Sequence, residues 1–298
     1  MKNNEIQGGL HKSVINWYPG HMVKAQNEIK ENLKLIDIVV EVLDARIPFS
    51  SRNPLITDLK KDKPEIVVLN KSDISDKDQN LKWKKYFEEQ GNTCILTCAN
   101  INDNIKKIIE EINKKGKEIY DKKYENKSVN IRPIYRVLIV GIPNVGKSTI
   151  INKIANRQVA NVGNKPGVTK KKQWIRVNGN IELLDTPGLL WPRLDDKDVG
   201  VKLALTGNIK QEILDVEELA VRGIDFLISN SCYKEMFIQK YKLDLSDLDN
   251  NVYDILEVIG RKRGCLVSGG KIDLEKAANI FFEDFKSGKI GRITLDII

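Results

Sequence analysis

Histidine and cysteine are scarce in this chain of 298 residues, at two and four copies. Cys94, Cys98, Cys232 and Cys265 form no CxxC pair and stand near no histidine cluster, which argues against a zinc site and for reduced thiols of a cytosolic protein. The N-terminal residues lack the apolar core of an export signal, and no later apolar run approaches membrane-spanning length. The expected setting is therefore the cytoplasm, with no membrane partner. Internal repeats and long low-complexity tracts are also missing. Aromatic residues make up 6% and few accompany the basic runs, so stacking on nucleobases is not expected.

What is present describes a soluble folded protein: 41% hydrophobic and 30% charged residues. The length leaves room for one nucleotide-sized domain and a smaller partner. A net charge of +8 raises the odds of a polyanionic partner, although Lys-, Asn- and Ile-rich usage can also follow genome composition.

Short apolar runs bounded by turn residues recur at 38–43, 66–69, 94–97, 137–140, 173–177 and 181–184, mostly separated by helical patterns. That alternation predicts an α/β domain with a mostly parallel sheet, whose ligands bind beyond the carboxyl ends of the strands. Residues 113–132 turn Lys-rich and lose apolar periodicity, as a solvated helix end and linker would. From about residue 200 the spacing of Val216, Leu219, Ala220 and Gly223, and of Ala277, Ala278, Phe281, Phe282 and Phe285, is helical without alternating strands. The expected division is a domain over 1–195 and a small all-helical C-terminal domain over 196–298.

Gly141-Ile142-Pro143-Asn144-Val145-Gly146-Lys147-Ser148 directly follows an apolar run and reads GxxxxGKS, a P-loop. Its glycines let backbone N–H groups face phosphates, and the helix that follows adds its positive dipole end. Lys147 is expected at the β and γ phosphates, Ser148 on Mg²⁺, and Asn144, Val145, Gly146 and Thr149 around the nucleotide. Asp185-Thr186-Pro187-Gly188 supplies DxxG at another strand end. There Asp185 holds a water on Mg²⁺ and the Gly188 N–H reaches the γ phosphate when it is present.

Asn70-Lys71-Ser72-Asp73 reads NKxD after the run 66–69. The Asp73 carboxylate suits the N1 and N2 donors of guanine, a pair adenine lacks, so GTP and GDP are expected over adenine nucleotides. The Lys71 stem can cover the base and Asn70 can tie this loop to the P-loop. Cys98-Ala99-Asn100 stands where a G domain has its last base loop, usually Ser-Ala-Lys; of the three, only the Ala99 N–H, toward guanine O6, carries over comfortably. Thr169, between the P-loop helix and the run 173–177, is placed as a switch threonine for Mg²⁺ and the γ phosphate.

An ordinary G domain runs P-loop, switch threonine, DxxG, NKxD, base loop. Here Asn70 and Cys98 precede Gly141, so the order is circularly permuted, which a compact domain tolerates when its old ends are joined. With Trp17-Tyr18-Pro19-Gly20-His21-Met22, Asp44-Ala45-Arg46-Ile47-Pro48, Arg263-Gly264-Cys265 and Gly291-Arg292-Ile293-Thr294, the sequence resembles the ribosome biogenesis GTPase A (RbgA/YlqF) group of circularly permuted GTPases over nearly its whole length.

The resemblance implies a monomeric GTPase that assists late assembly of the large (50S) ribosomal subunit on its rRNA, with no DNA partner. Where Ras-like proteins carry a water-orienting Gln, Leu189 stands; the resemblance implies His21 as the replacement, the alternative being a structural cap. Asn144 matches an Asn of potassium-stimulated GTPases, and is otherwise an Asn accommodated in a turn. Arg261-Lys262-Arg263, Lys271, 289–292 and Lys170-Lys171-Lys172 are the candidate rRNA contacts. A GTP-liganded binding module with little turnover is the competing reading; a metabolic nucleotide kinase is disfavoured because no acceptor-substrate motif accompanies NKxD.

Overall fold

The computed structural model describes residues 27, 30–60, 62–124, 133–160, 173–177, 179–186, 188, 196–209, 215–249 and 251–298. Strands Ile38–Asp44 (β1), Glu65–Asn70 (β2), Thr93–Leu96 (β3), Tyr135–Val140 (β4), Gln173–Val177 (β5) and Ile181–Asp185 (β6) form a six-stranded sheet in the order β3-β2-β1-β4-β6-β5. All pairs are parallel except β5 with β6. Every residue of β1 and of β2 is buried, as continuous β-branched runs require when helices cover both faces of a parallel sheet. The predicted strands thus all form, each within a residue or two of its expected ends.

Strand order reverses direction between β1 and β4: on one side the chain winds outward through β2 and β3, and on the other it passes from β4 to the edge strand β5 and returns as β6 beside β4. A crevice opens at such a point beyond the strand ends. Register sets those ends level, with Asp44 opposite Asn70 and Ile139 opposite Asp185. All the phosphate and base motifs leave the sheet here, although the base motifs come first in the chain.

Helices Pro54–Lys60 (α1), Lys77–Glu89 (α2), Ile105–Tyr124 (α3) and Lys147–Ala155 (α4) belong to this region. Asp76 caps α2 by accepting from the Asp78 and Gln79 N–H groups, and Trp83 and Phe87, one turn apart, bury against Leu43 and Leu69. α3 runs through the first part of the Lys-rich stretch read as a solvated helix end and linker, and ends at Tyr124. Ile105, Ile108, Ile112 and Gly116 keep a buried stripe at helical spacing, and Gly116 lies flat on the Tyr135 ring. A glycine occupying an apolar position is what hid the periodicity.

Beyond the sheet come Lys197–Leu205 (α5), Val216–Ser229 (α6), Ser231–Tyr241 (α7), Val252–Lys262 (α8) and Leu274–Lys286 (α9). Asp196, Asp215, Asn230, Asn251 and Asp273 cap their first turns. Leu219, Ala220, Phe281 and Phe282 bury fully, in one apolar cluster that also holds the sheet residues. After α9 the chain returns along the sheet region: the Leu295 N–H donates to the Arg46 carbonyl and Trp83 Nε1 to that of Asp296. Among the described residues no helix is long and apolar enough to cross a membrane.

Candidate nucleotide site

The P-loop is held open by backbone geometry. Gly146 adopts φ 101° immediately before α4, and a Cβ there would stand 2.2 Å from Asn70 Nδ2, so the turn admits no side chain. α4 then starts at Lys147 with its N–H groups directed into the crevice, and Ser148 and Thr149 half-buried in its first turn. Lys147 Nζ donates to the Ile142 carbonyl at 2.8 Å. Burial pulls this amine down to about 8, against the opposing pull of Asp185. An ammonium whose hydrogen-bond partner is a neutral carbonyl is poised to exchange it for phosphate oxygens.

Asp185 ends β6 at 3% exposure, and its Oδ1 has no hydrogen-bond partner among the described residues. Burial raises its carboxyl to about 6, with Lys147 pulling the other way. An orphaned buried carboxylate oxygen next to a P-loop fits an Mg²⁺ aqua ion, which Asp185 and Ser148 have the right hard oxygen donors to hold. Gly188 packs so closely that a Cβ would lie 2.7 Å from the Pro143 nitrogen, bringing the DxxG glycine onto the P-loop turn. Thr169, His21, Leu189 and Lys170-Lys171-Lys172 lie outside the described residues.

On the base side Asn70 makes the expected tie: Nδ2 donates to the Val145 carbonyl at 2.7 Å, and Oδ1 accepts from the Ala99 N–H at 3.1 Å. The Ala99 N–H expected at guanine O6 is thereby engaged by Asn70. Asp73 is exposed. Burial, and then the Asp73 carboxylate, raise the Cys98 thiol. Asn100 is exposed.

Lys71 adopts φ 64° and sends its ammonium 2.8 Å from Asp44 Oδ2. The same carboxylate takes Arg46 Nε at 2.9 Å and Nη2 at 2.7 Å, and Asn208 Nδ2 at 3.2 Å. Burial drives the Asp44 carboxyl up, but Arg46 and Lys71 prevail and hold it well below the ordinary carboxylate range. Arg46, 2% exposed, also donates to the carbonyls of Thr206 at 2.9 Å and Lys286 at 3.1 Å. The Asn144 side chain donates to the Gly207 carbonyl at 2.8 Å. Base side and P-loop are thus both bonded to the helical region. The expected basic runs divide as well. Lys262 pairs with Asp244 and Asp247, Arg263 with Asp284, and Arg292 is turned inward, while Arg261, Lys271 and Lys289 are exposed.

Residues 136–262 match a protein family described as 50S ribosome-binding GTPase. Ribosome biogenesis GTPase A of Bacillus cereus is 43% identical over 95% of this chain and 94% of its own. Mitochondrial ribosome-associated GTPase 1 of Mus musculus is 33% identical over 95% of this chain and 90% of its own. Among solved structures, a GNP-bound YlqF from T. maritima superposes with a TM-score of 0.60 at 31% identity, covering 92% of this chain and 98% of that one.

Proposed function

The chain belongs to the ribosome biogenesis GTPase A family and is accordingly a GTP-hydrolysing protein of ribosome assembly with a circularly permuted G domain; from there we propose that it is a nucleotide-dependent switch acting in the cytoplasm on the rRNA of the large subunit. One observation carries the switch: Asn144 of the P-loop and the Lys71–Asp44–Arg46 chain of the base side both end on backbone carbonyls of the helical region. Nucleotide contacts at either end of the crevice therefore act on groups that also hold that region.

In this reading the helical unit 196–298 docks on RNA through exposed Arg261, Lys271 and Lys289, with Lys170-Lys171-Lys172 alongside. Asp73 selects guanine, Asn70 holds the base loop to the P-loop, and the backbone N–H groups of residues 144–149 receive the phosphates. Lys147 leaves the Ile142 carbonyl for the β and γ oxygens. Ser148, Thr169 and Asp185 would hold Mg²⁺, which neutralises triphosphate charge, and Asn144 would contribute an oxygen to K⁺. Gly188 follows the γ phosphate from its seat on Pro143, His21 orients the attacking water, and Leu189 shields it from bulk solvent.

Sedimentation with purified large subunits tests the switch. Co-sedimentation is expected with a non-hydrolysable GTP analogue and release with GDP, with a steep fall as salt rises. Equal binding in both nucleotide states would overturn the reading.

A further inference from the structure

Arg292 was counted above among candidate RNA contacts, yet its guanidinium lies within the base-reading loop. Nε donates to the Ser75 carbonyl at 2.8 Å and Nη2 to the Ser72 carbonyl at 2.6 Å. These two carbonyls flank Asp73, one residue before it and two after. The segment around Arg292 reinforces the grip. The Ile293 N–H donates to the Ile74 carbonyl at 3.2 Å, and the Asp76 N–H donates to Thr294 Oγ1 at 3.1 Å. The Gly288 backbone packs on the Ile74 side chain, and Tyr233 joins Asp76 to the Thr294 carbonyl.

We propose that Arg292 is a positioning residue for guanine recognition: its planar fork, seated on the carbonyls of Ser72 and Ser75, sets the aim of the Asp73 carboxylate and slows nucleotide release. The physical reason lies in the loop itself. Ser75 is buried and Asn80 Nδ2 also donates to the Ser72 carbonyl at 3.4 Å, but Asp73 itself is exposed, so its aim toward a base depends on how the backbone on either side of it is held. An arginine fork fixes two acceptors in one rigid plane, where a lysine offers a rotatable point charge. Positioning by a segment that leaves α9 also makes the coupling reciprocal. Whatever draws residues 288–294 away loosens the base, and a bound base favours the docked segment.

The inference rests on Asp73 being the guanine reader, and the test separates the two. GDP and IDP are compared, since the inosine base lacks the 2-amino donor and reports one of the two Asp73 bonds. Full-length Arg292→Ala is expected to release fluorescent GDP about ten-fold faster and to lose most of the preference for GDP over IDP. Arg292→Lys should recover part of both, and the melting temperature should stay near the parent's. Parental release rate and GDP/IDP ratio in Arg292→Ala overturn the proposal. So does a drop for GDP and IDP in equal proportion with a lowered melting temperature, because that describes a fold contact only. Asp73→Asn serves as the control. If it leaves the GDP/IDP ratio unchanged, the base assignment itself fails, independently of Arg292.

Discussion

The Lys71 ammonium stands 2.8 Å from the Asp44 carboxylate, so the lysine of the base-reading motif is anchored to the very group that neutralises buried Arg46. Asp44 is fully buried and answers two cations and an amide, which makes it the point where the NKxD loop and the seating of the helical region meet. Asp44→Ala strips both cations of their counter-charge. Removing one partner of a buried ion pair costs about 3–5 kcal/mol. Urea denaturation should show a loss of that order and weakened guanine-nucleotide binding together; a loss under about 1 kcal/mol would contradict the arrangement.

Asp185 leads to a prediction of opposite sign. Its folded carboxyl keeps its proton up to about pH 6, whereas an unfolded aspartate releases it near ~4. The folded state thus binds the proton more tightly, and this group's contribution to nucleotide-free stability falls as pH rises through that window. Holding the carboxylate charged at pH 7 costs roughly 1–3 kcal/mol. Asp185→Asn should raise the nucleotide-free melting temperature at pH 7 while removing the further stabilisation that Mg²⁺ and GTP give together. A melting temperature unchanged at pH 7 would count against the burial argument.

Potassium dependence bears on Asn144. If Asn144 holds K⁺ as proposed, replacing K⁺ by Na⁺ is expected to slow GTP hydrolysis severalfold in the parent and to make no difference in Asn144→Ala. Since Asn144 also donates to the Gly207 carbonyl, that variant should in addition loosen the helical region, visible as faster amide exchange at 206–209. Equal rates in both salts would leave Asn144 with its structural bond alone.

His21→Ala separates water orientation from capping. A positioned catalytic group is worth about a hundred-fold in rate, so subunit-stimulated turnover should drop by that factor with GTP affinity and melting temperature nearly unchanged. A cap would instead take about 1 kcal/mol of stability with it. Full stimulated turnover would move the search to a group on the ribosomal particle.

Much of this architecture was written locally. Apolar runs ending in Asp44, Asn70, Val140 and Asp185 mark parallel strands, and motifs at their ends mark the crevice, because side-chain period and turn chemistry are short-range properties. What stayed hidden depends on distant partners. Arg292 reads as one more basic residue until its carbonyl acceptors at Ser72 and Ser75 are known. Gly116 reads as a break until the Tyr135 ring is found beneath it. In each case the chemistry was visible and the neighbour was not.

The span of those contacts has a consequence for synthesis. Arg46 leaves the translating ribosome 240 residues before Lys286, whose carbonyl it needs, and Ser50 precedes its partner Asp296 by 246. Every nucleotide motif has been made by Gly188, yet the brace on the base loop is made near the end. Contacts this distant in sequence form late and slowly. If Arg292 aims Asp73 as proposed, a polypeptide cut before residue 288 carries the nucleotide motifs without that brace, and guanine nucleotide should leave it faster than a chain that includes Arg292.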